Sequence, residues 1–387
     1  MNRMRKHTIS LPCLQILVAI FALVFGTCAL AQAQLAGASS QPYFFPAPPA
    51  GFDPVSASDA DLAQYGFPRR PEPGSDSYNR WVAHMAHAKH RLDNPIATAT
   101  GTAHGPLRPL GAAGSAGQNE APSWSGLIEA YTNPYFAANG SGVQIFTTVP
   151  SVGTENCSYG PYKTWIWAGM DGSGLASAGN LDVLQAGVAA EACTNNNPPT
   201  PPYYVWYEWF TQGCEYPNAP PCEAASVNLV VNPGDNILVQ VGYSTSSPQG
   251  SAWFLDETTE TYISELFSQP ASSQGGTAYA GYTAEWILER PQVSVTDTTP
   301  VDLAATGSSA VVPEYWDTAD GGIGGVWELP GLDHSGTIYL VDMICTPLNW
   351  NPSSACPNNN TVIATATYSG PGSGTVNFQV TGPAASQ

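Results

Sequence analysis

Asp171, Gln185, Glu208, Glu285 and Glu289 each sit in mid-run among aromatic and aliphatic residues. A polar group in such a place is costly unless it is paired or does chemistry. In Trp165-Ile166-Trp167-Ala168-Gly169-Met170-Asp171-Gly172, strand alternation puts Trp165, Trp167, Gly169 and Asp171 on one face. Within Leu181 to Val188, Gln185 shares a face with Val183 and Gly187, and Glu208 lies between Trp206 and Phe210. Within Ala284 to Pro291, Glu285 and Glu289 point the same way. Carboxylates can take and return protons near a reacting bond. An amide does not titrate, so Gln185 can donate to a developing oxyanion at any pH. Tryptophan walls suit an extended, partly apolar substrate.

Other chemistries fall away by count. From Ala121 onward there is one histidine, His334, in the turn-like Gly331-Leu332-Asp333-His334-Ser335-Gly336. A Ser-His-Asp or Cys-His arrangement would depend on it, and it reads better as a structural or surface residue. Two-histidine metal sites are excluded in this stretch, and no cofactor or metal is expected. Gly172-Ser173-Gly174 reads as a turn, since no Gly-rich phosphate loop leads into a helix. Neither Asp-Thr-Gly nor Asp-Ser-Gly occurs, so a pepsin-like aspartate pair lacks its local sequence.

Five segments in order carry a family resemblance. They are Trp167 to Gly172, Leu184 to Val188, Trp206 to Trp209, Gly234-Asp235, and Ala284 to Glu289, with Trp124-Ser125-Gly126 and Thr148-Val149-Pro150 resembling opening strands. This series resembles the glutamic peptidases (eqolisins) over roughly Ser123 to Pro291. The resemblance implies a concanavalin-like all-β sandwich of two large antiparallel sheets, with a substrate groove on one concave face. It also implies an acid endopeptidase insensitive to pepstatin, with Gln185 and Glu289 as the catalytic dyad. Glu285 is the rival to Glu289, being on the same face of the same run. Asp171, Glu208, Trp124, Trp167 and Trp206 match positions that line or support the family's site. Arg290 departs from expectation by following Glu289 directly, where it could pair with a carboxylate. Residues beyond Val301, including Trp316, Trp327 and Trp350, do not align clearly and read as a variable edge or an added subsite. The alternative class is a carbohydrate-active β-sandwich, either a glycosidase with paired carboxylates or a lectin-like module. Gln185 discriminates, because those uses need no mid-strand amide.

Such residues need long strands to hold them. From Ser123 onward, short aromatic or β-branched runs are divided by Gly, Pro, Asn and Ser. They include Gly142 to Val149, Lys163 to Gly169, Tyr203 to Phe210, Val227 to Val231, Asn236 to Tyr243, Ala284 to Leu288, Thr337 to Ile344 and Thr361 to Tyr368. Their alternation argues for an all-β domain over residues 121–387.

Ahead of it, Arg3, Arg5 and Lys6, an apolar run from Leu14 to Phe25 and Ala31-Gln32-Ala33 read as a signal peptide, residues 1–33. Secretion is therefore expected. Residues 34–120 read as a propeptide and linker, with a proline-rich stretch from Gln41 to Pro73 and a helix from Tyr78 to Leu92. His84, His87 and His90 share one face of that helix.

Charge supports the division. From Ala121 onward, 23 acidic residues face only Lys163 and Arg290, whereas residues 34–120 hold six basic ones. The acidic surface repels nucleic acid and anionic membranes; the expected partners are the polypeptide substrates that the resemblance implies and the chain's own basic propeptide. A monomer is expected. Crowded carboxylates should favour the fold in acid, an advantage lost as pH rises. Six cysteines, Cys157, Cys193, Cys214, Cys222, Cys345 and Cys356, suggest disulfides in an exported chain. Cys214 with Cys222 and Cys345 with Cys356 form natural short loops, leaving Cys157 with Cys193.

Overall fold

The computed structural model describes residues 43–101, 118–132, 134–137, 141–152, 162–173, 182–192, 203–210, 224–244, 249–269, 279–294, 297–300, 302–303, 308–317, 326–328, 336–345, 361–370 and 374–380. The signal segment, His334, Trp350 and the disulfide expectations lie outside the described residues and side chains.

The sandwich is built from β1 (Trp124–Ala130), β2 (Gly142–Thr148), β3 (Tyr162–Met170), β4 (Val183–Ala192), β5 (Tyr203–Phe210), β6 (Ala225–Val230) and β7 (Asn236–Ser244). To these are added β8 (Gln249–Asp256), β9 (Thr261–Ser268), β10 (Thr283–Glu289), β11 (Ser308–Asp317), β12 (Thr337–Cys345), β13 (Thr361–Tyr368) and β14 (Val376–Val380). The first sheet runs β6–β5–β4–β3–β10–β1–β12, all antiparallel. The second runs β11–β2–β7–β8–β9, also antiparallel. β13 and β14 carry the ladder from β12 across to β11. Residues beyond Val301 thus supply strands to both sheets and the bridge between them. Two of these strands, β11 and β12, pair with β2 and β1 far away in sequence, which local resemblance cannot reveal.

Alternation decides which residues meet. Leu127, Ile166, Leu184 and Val205 from the first sheet pack with Ile145, Val239, Phe254 and Ile263 from the second. Such buried side chains stabilise the fold by roughly 1.5–3 kcal/mol each. The opposite parity of the first sheet carries Trp124, Trp165, Trp167 and Trp206 as a second buried cluster.

The outward face of the second sheet is also covered. Leu238, Trp253, Leu255 and Tyr262 pack against Leu62, Phe67, Trp81 and Met85 of the N-terminal segment. Two helices hold these residues. α1 (Asp59–Gln64) starts where the Ser58 side chain accepts the Asp61 N–H, and α2 (Asp76–Met85) where Ser75 accepts that of Tyr78. The helix expected over Tyr78 to Leu92 thus begins earlier and stops at Met85. The chain then turns so that His90–Arg91 can pair with Thr261–Tyr262. The expected histidine row on one helical face does not form, because only His84 is helical.

Candidate active site

β5, β4, β3 and β10 lie side by side, and their register aligns the polar residues. Glu208 is opposite Gln185, Gln185 opposite Gly169, and Gly169 opposite Glu285. One row across the tryptophan face therefore reads Glu208, Gln185, Gly169, Glu285. Glu289 lies two pleats along β10, opposite Trp165 on one side and Trp124 on the other.

Glycines shape this face. A Cβ on Gly187 would come 2.3 Å from the Ile166 carbonyl oxygen and 2.5 Å from the Trp167 Cβ. A Cβ on Gly169 would strike the Trp167 ring at 2.7 Å and stand 3.2 Å from the Gln185 Cβ. The Trp167 indole thus leans over Gly169 beside Gln185. Its other edge reaches Glu289, with Nε1 donating to Oε2 at 2.7 Å. Trp124 packs edge-on against the same indole, with ring centres 4.9 Å apart.

Gln185 is wholly buried. Its Nε2 donates to Glu208 Oε2 at 3.1 Å, while its Oε1 is buried with no hydrogen-bond partner. The amide is therefore oriented by Glu208, with acceptor and donor capacity left over. The structure brings Gln185 to Glu208 and Glu289 to Trp167. It does not bring Gln185 and Glu289 into direct contact.

Glu285 is buried too, and accepts the Thr283 hydroxyl at 2.9 Å. Burial pushes its pKa well above the usual carboxylate range, and the nearby Asp171 charge pushes the same way. Asp171 has φ +65° in the turn after β3. Its carboxylate accepts the backbone N–H groups of Ala280 (2.9 Å), Gly281 (2.7 Å) and Tyr282 (2.7 Å). Burial raises its pKa, and these N–H groups oppose the rise. Asp171 thus fixes the segment that leads into β10 and sets where Glu285 and Glu289 fall. Arg290 Nε donates to the Pro122 carbonyl at 2.7 Å, tying the end of β10 to the entry of β1. Asp235, of the Gly234-Asp235 match, accepts the Asn232 N–H at 2.7 Å in the turn between β6 and β7, so its part is local.

Sequence reasoning missed a buried charge cluster at the other end of this face. Lys163 Nζ lies 3.1 Å from Glu191 Oε1, which also accepts from Trp165 Nε1 (3.3 Å) and the Tyr204 hydroxyl. Only the β3–β4 register, which sets Lys163 opposite Glu191, could have signalled it. Among the described residues, no group of three or more His, Cys, Asp or Glu side chains gathers as a metal site would require.

The family model described as the Peptidase A4 family matches residues 122–321. The chain belongs to the Peptidase A4 family. No curated protein matches it. Two solved structures are similar in part: the enzymatically active domain of tailspike protein 2 of bacteriophage CBA120, and full-length tailspike protein 2 from an Escherichia coli O157:H7 bacteriophage. Each is 11% identical, with TM-scores of 0.25 and 0.23. The matches cover 57% and 54% of this chain but only 27% and 29% of theirs, and at those scores they carry no argument about the fold. The A4 match spans β1 to β11, so all five polar residues described above fall inside it.

Proposed function

We propose that this A4 chain is a secreted acid endopeptidase that hydrolyses polypeptides with Glu289 and Gln185. As carboxylate, Glu289 takes a proton from the water that attacks the scissile carbonyl. Gln185, oriented by Glu208, donates its remaining amide hydrogen to the oxyanion of the tetrahedral intermediate. The protonated Glu289 then gives its proton to the leaving amine, and the carboxylate is restored. The observation that carries the peptidase reading is the buried amide of Gln185, oriented by Glu208 and set in one row with Glu285; Glu289 lies outside that row, at the far edge of the Trp167 indole. A glycosidase or a lectin has no use for such an amide.

A second assignment within the same reaction has its own support. The register sets Glu285 in the Gln185 row with only Gly169 between them, so Glu285 could take the part given to Glu289. Gln185, Glu285 and Glu289 are all 0% exposed in the full-length chain. We also propose export by residues 1–33 and processing within residues 34–120, outside the packed segment 43–99, before the chain acts.

The test is protein digestion at pH 2–4 by acid-treated protein with pepstatin present. Glu289→Gln, Glu285→Gln and Gln185→Ala variants, each checked for fold by circular dichroism, stand beside it. Pepstatin-resistant cleavage lost in Glu289→Gln and Gln185→Ala supports the dyad. Loss in Glu285→Gln, with Glu289→Gln active, moves the role to Glu285. Release of sugar from polysaccharide, with no proteolysis, overturns the peptidase reading.

A further inference from the structure

We infer that residues 43–99 are a permanent third layer of the folded enzyme, retained when the chain is processed. The inference rests on packing and pairing, and does not depend on which carboxyl does the chemistry.

The contact is first of all apolar. Leu238, Trp253, Leu255 and Tyr262 stand on the outward face of the second sheet and are at most 3% exposed. Leu62, Phe67, Trp81 and Met85 cover them. The Phe67 and Tyr262 rings lie 4.9 Å apart, and the His84 ring lies 5.2 Å from Phe146. Departure of the segment would open a contiguous aromatic and aliphatic patch on a sheet face. A soluble monomer seldom exposes such a patch.

The backbone makes the stronger case. The hydrogen-bonded ribbon of strands ends at β6 and at β9, and one segment closes both ends. Tyr43–Phe44 pairs with Glu265–Leu266, and His90–Arg91 with Thr261–Tyr262, along the outer side of β9. Ala97–Ala99 pairs with Ala225–Val227 on the outer side of β6. The Asn228 side chain reinforces that second junction, accepting from the Ile96 N–H and donating to the Asn94 carbonyl. An unpaired edge strand invites association with other chains. Loss of this segment would expose two at once.

Titratable contacts are few and lie on one turn. His84 meets Glu257 at 2.5 Å, while Lys89 and His87 meet Glu260 at 2.5 and 3.8 Å. His90, Arg91, Asp256 and, next to Asp256, Asp235 are the other titratable or charged groups beside them. Loss of these ion pairs leaves the ring contacts and the strand pairing in place. The layer therefore stays bound at the pH where an acid peptidase works.

The experiment inserts a site-specific protease sequence after Gly101 in the full-length chain and cuts the folded protein once. Size exclusion at pH 3.5 and pH 7 should return both fragments in one peak at both values, separating only in denaturant. Release of the N-terminal fragment at pH 3.5, with the remainder staying monodisperse, would overturn the inference. A Glu257→Gln, Glu260→Gln double variant of the cut protein should also co-elute; separation would show that the charge pairs hold the layer. Should the insertion prevent folding, mass spectrometry of acid-matured wild-type protein answers the same question. Residues 43–99 should remain at one-to-one ratio with the rest, and active material lacking them refutes permanence.

Discussion

Glu265 offers a sharp test of how burial couples this fold to acid. It sits on the core side of β9 with Ile263, wholly buried between the sheets. Burial pushes its pKa well above the usual carboxylate range, with only the Tyr207 hydroxyl pulling it back. The folded pKa exceeds the unfolded one, so the stabilisation is complete below about pH 4.3 and drains away as pH rises through the folded value. Across that window one proton is at stake, which is about 1.4 kcal/mol per pH unit. Glu265→Gln keeps the shape and removes the titration. Between pH 5 and pH 6 the wild type should therefore lose more stability than the variant, by on the order of 1 kcal/mol, and its Tm should fall more steeply. Melting followed by circular dichroism at pH 3.5, 5 and 6 would measure it, in a Gln185→Ala background to prevent self-digestion. Parallel Tm-against-pH curves for the two proteins would refute the reasoning.

Two further changes probe the scaffold of the site. Asp171→Asn leaves one carbonyl oxygen where two carboxylate oxygens received three N–H groups; a loss of about 1–3 kcal/mol by denaturant melting is expected, with lower kcat because β10 is less firmly placed. Gly187→Ala drives a methyl into the Ile166 carbonyl and Trp167, so a loss of about 1–3 kcal/mol and a shifted tryptophan emission are expected.

Much of the sandwich was legible because aromatic and β-branched residues gather in its strands, on both faces where both are buried and in alternation where one is not. Tyr203 to Phe210 and Thr361 to Tyr368 were read from sequence with their observed ends. The β8–β9 hairpin carries no turn signal of the Gly or Pro kind, since its turn, Glu257-Thr258-Thr259-Glu260, has neither; Glu260, at φ +55°, is held through its carbonyl by the Lys89 and His90 N–H groups. Helix α1 hid in a proline-rich stretch, although Ser58 and Asp61 were a readable start signal. Asp171, Gln185, Glu208, Glu285 and Glu289 could be assigned to one face from parity alone. Which of them are neighbours could not, because that depends on how β3 registers with both β4 and β10. Parity likewise said nothing of Asp171 reaching back to three amides more than a hundred residues later.

The position of β1 has a consequence for how the molecule is made. Its two neighbours are β10 and β12, and the bridge between the sheets is formed by β13 and β14 at the far end of the chain. A nascent polypeptide emerging from the ribosome holds Trp124 to Ala130 without either flanking strand until most of the message has been read. The sandwich cannot close until its last residues arrive, and pairings so distant in sequence form slowly. The chain is thus left open through most of its synthesis.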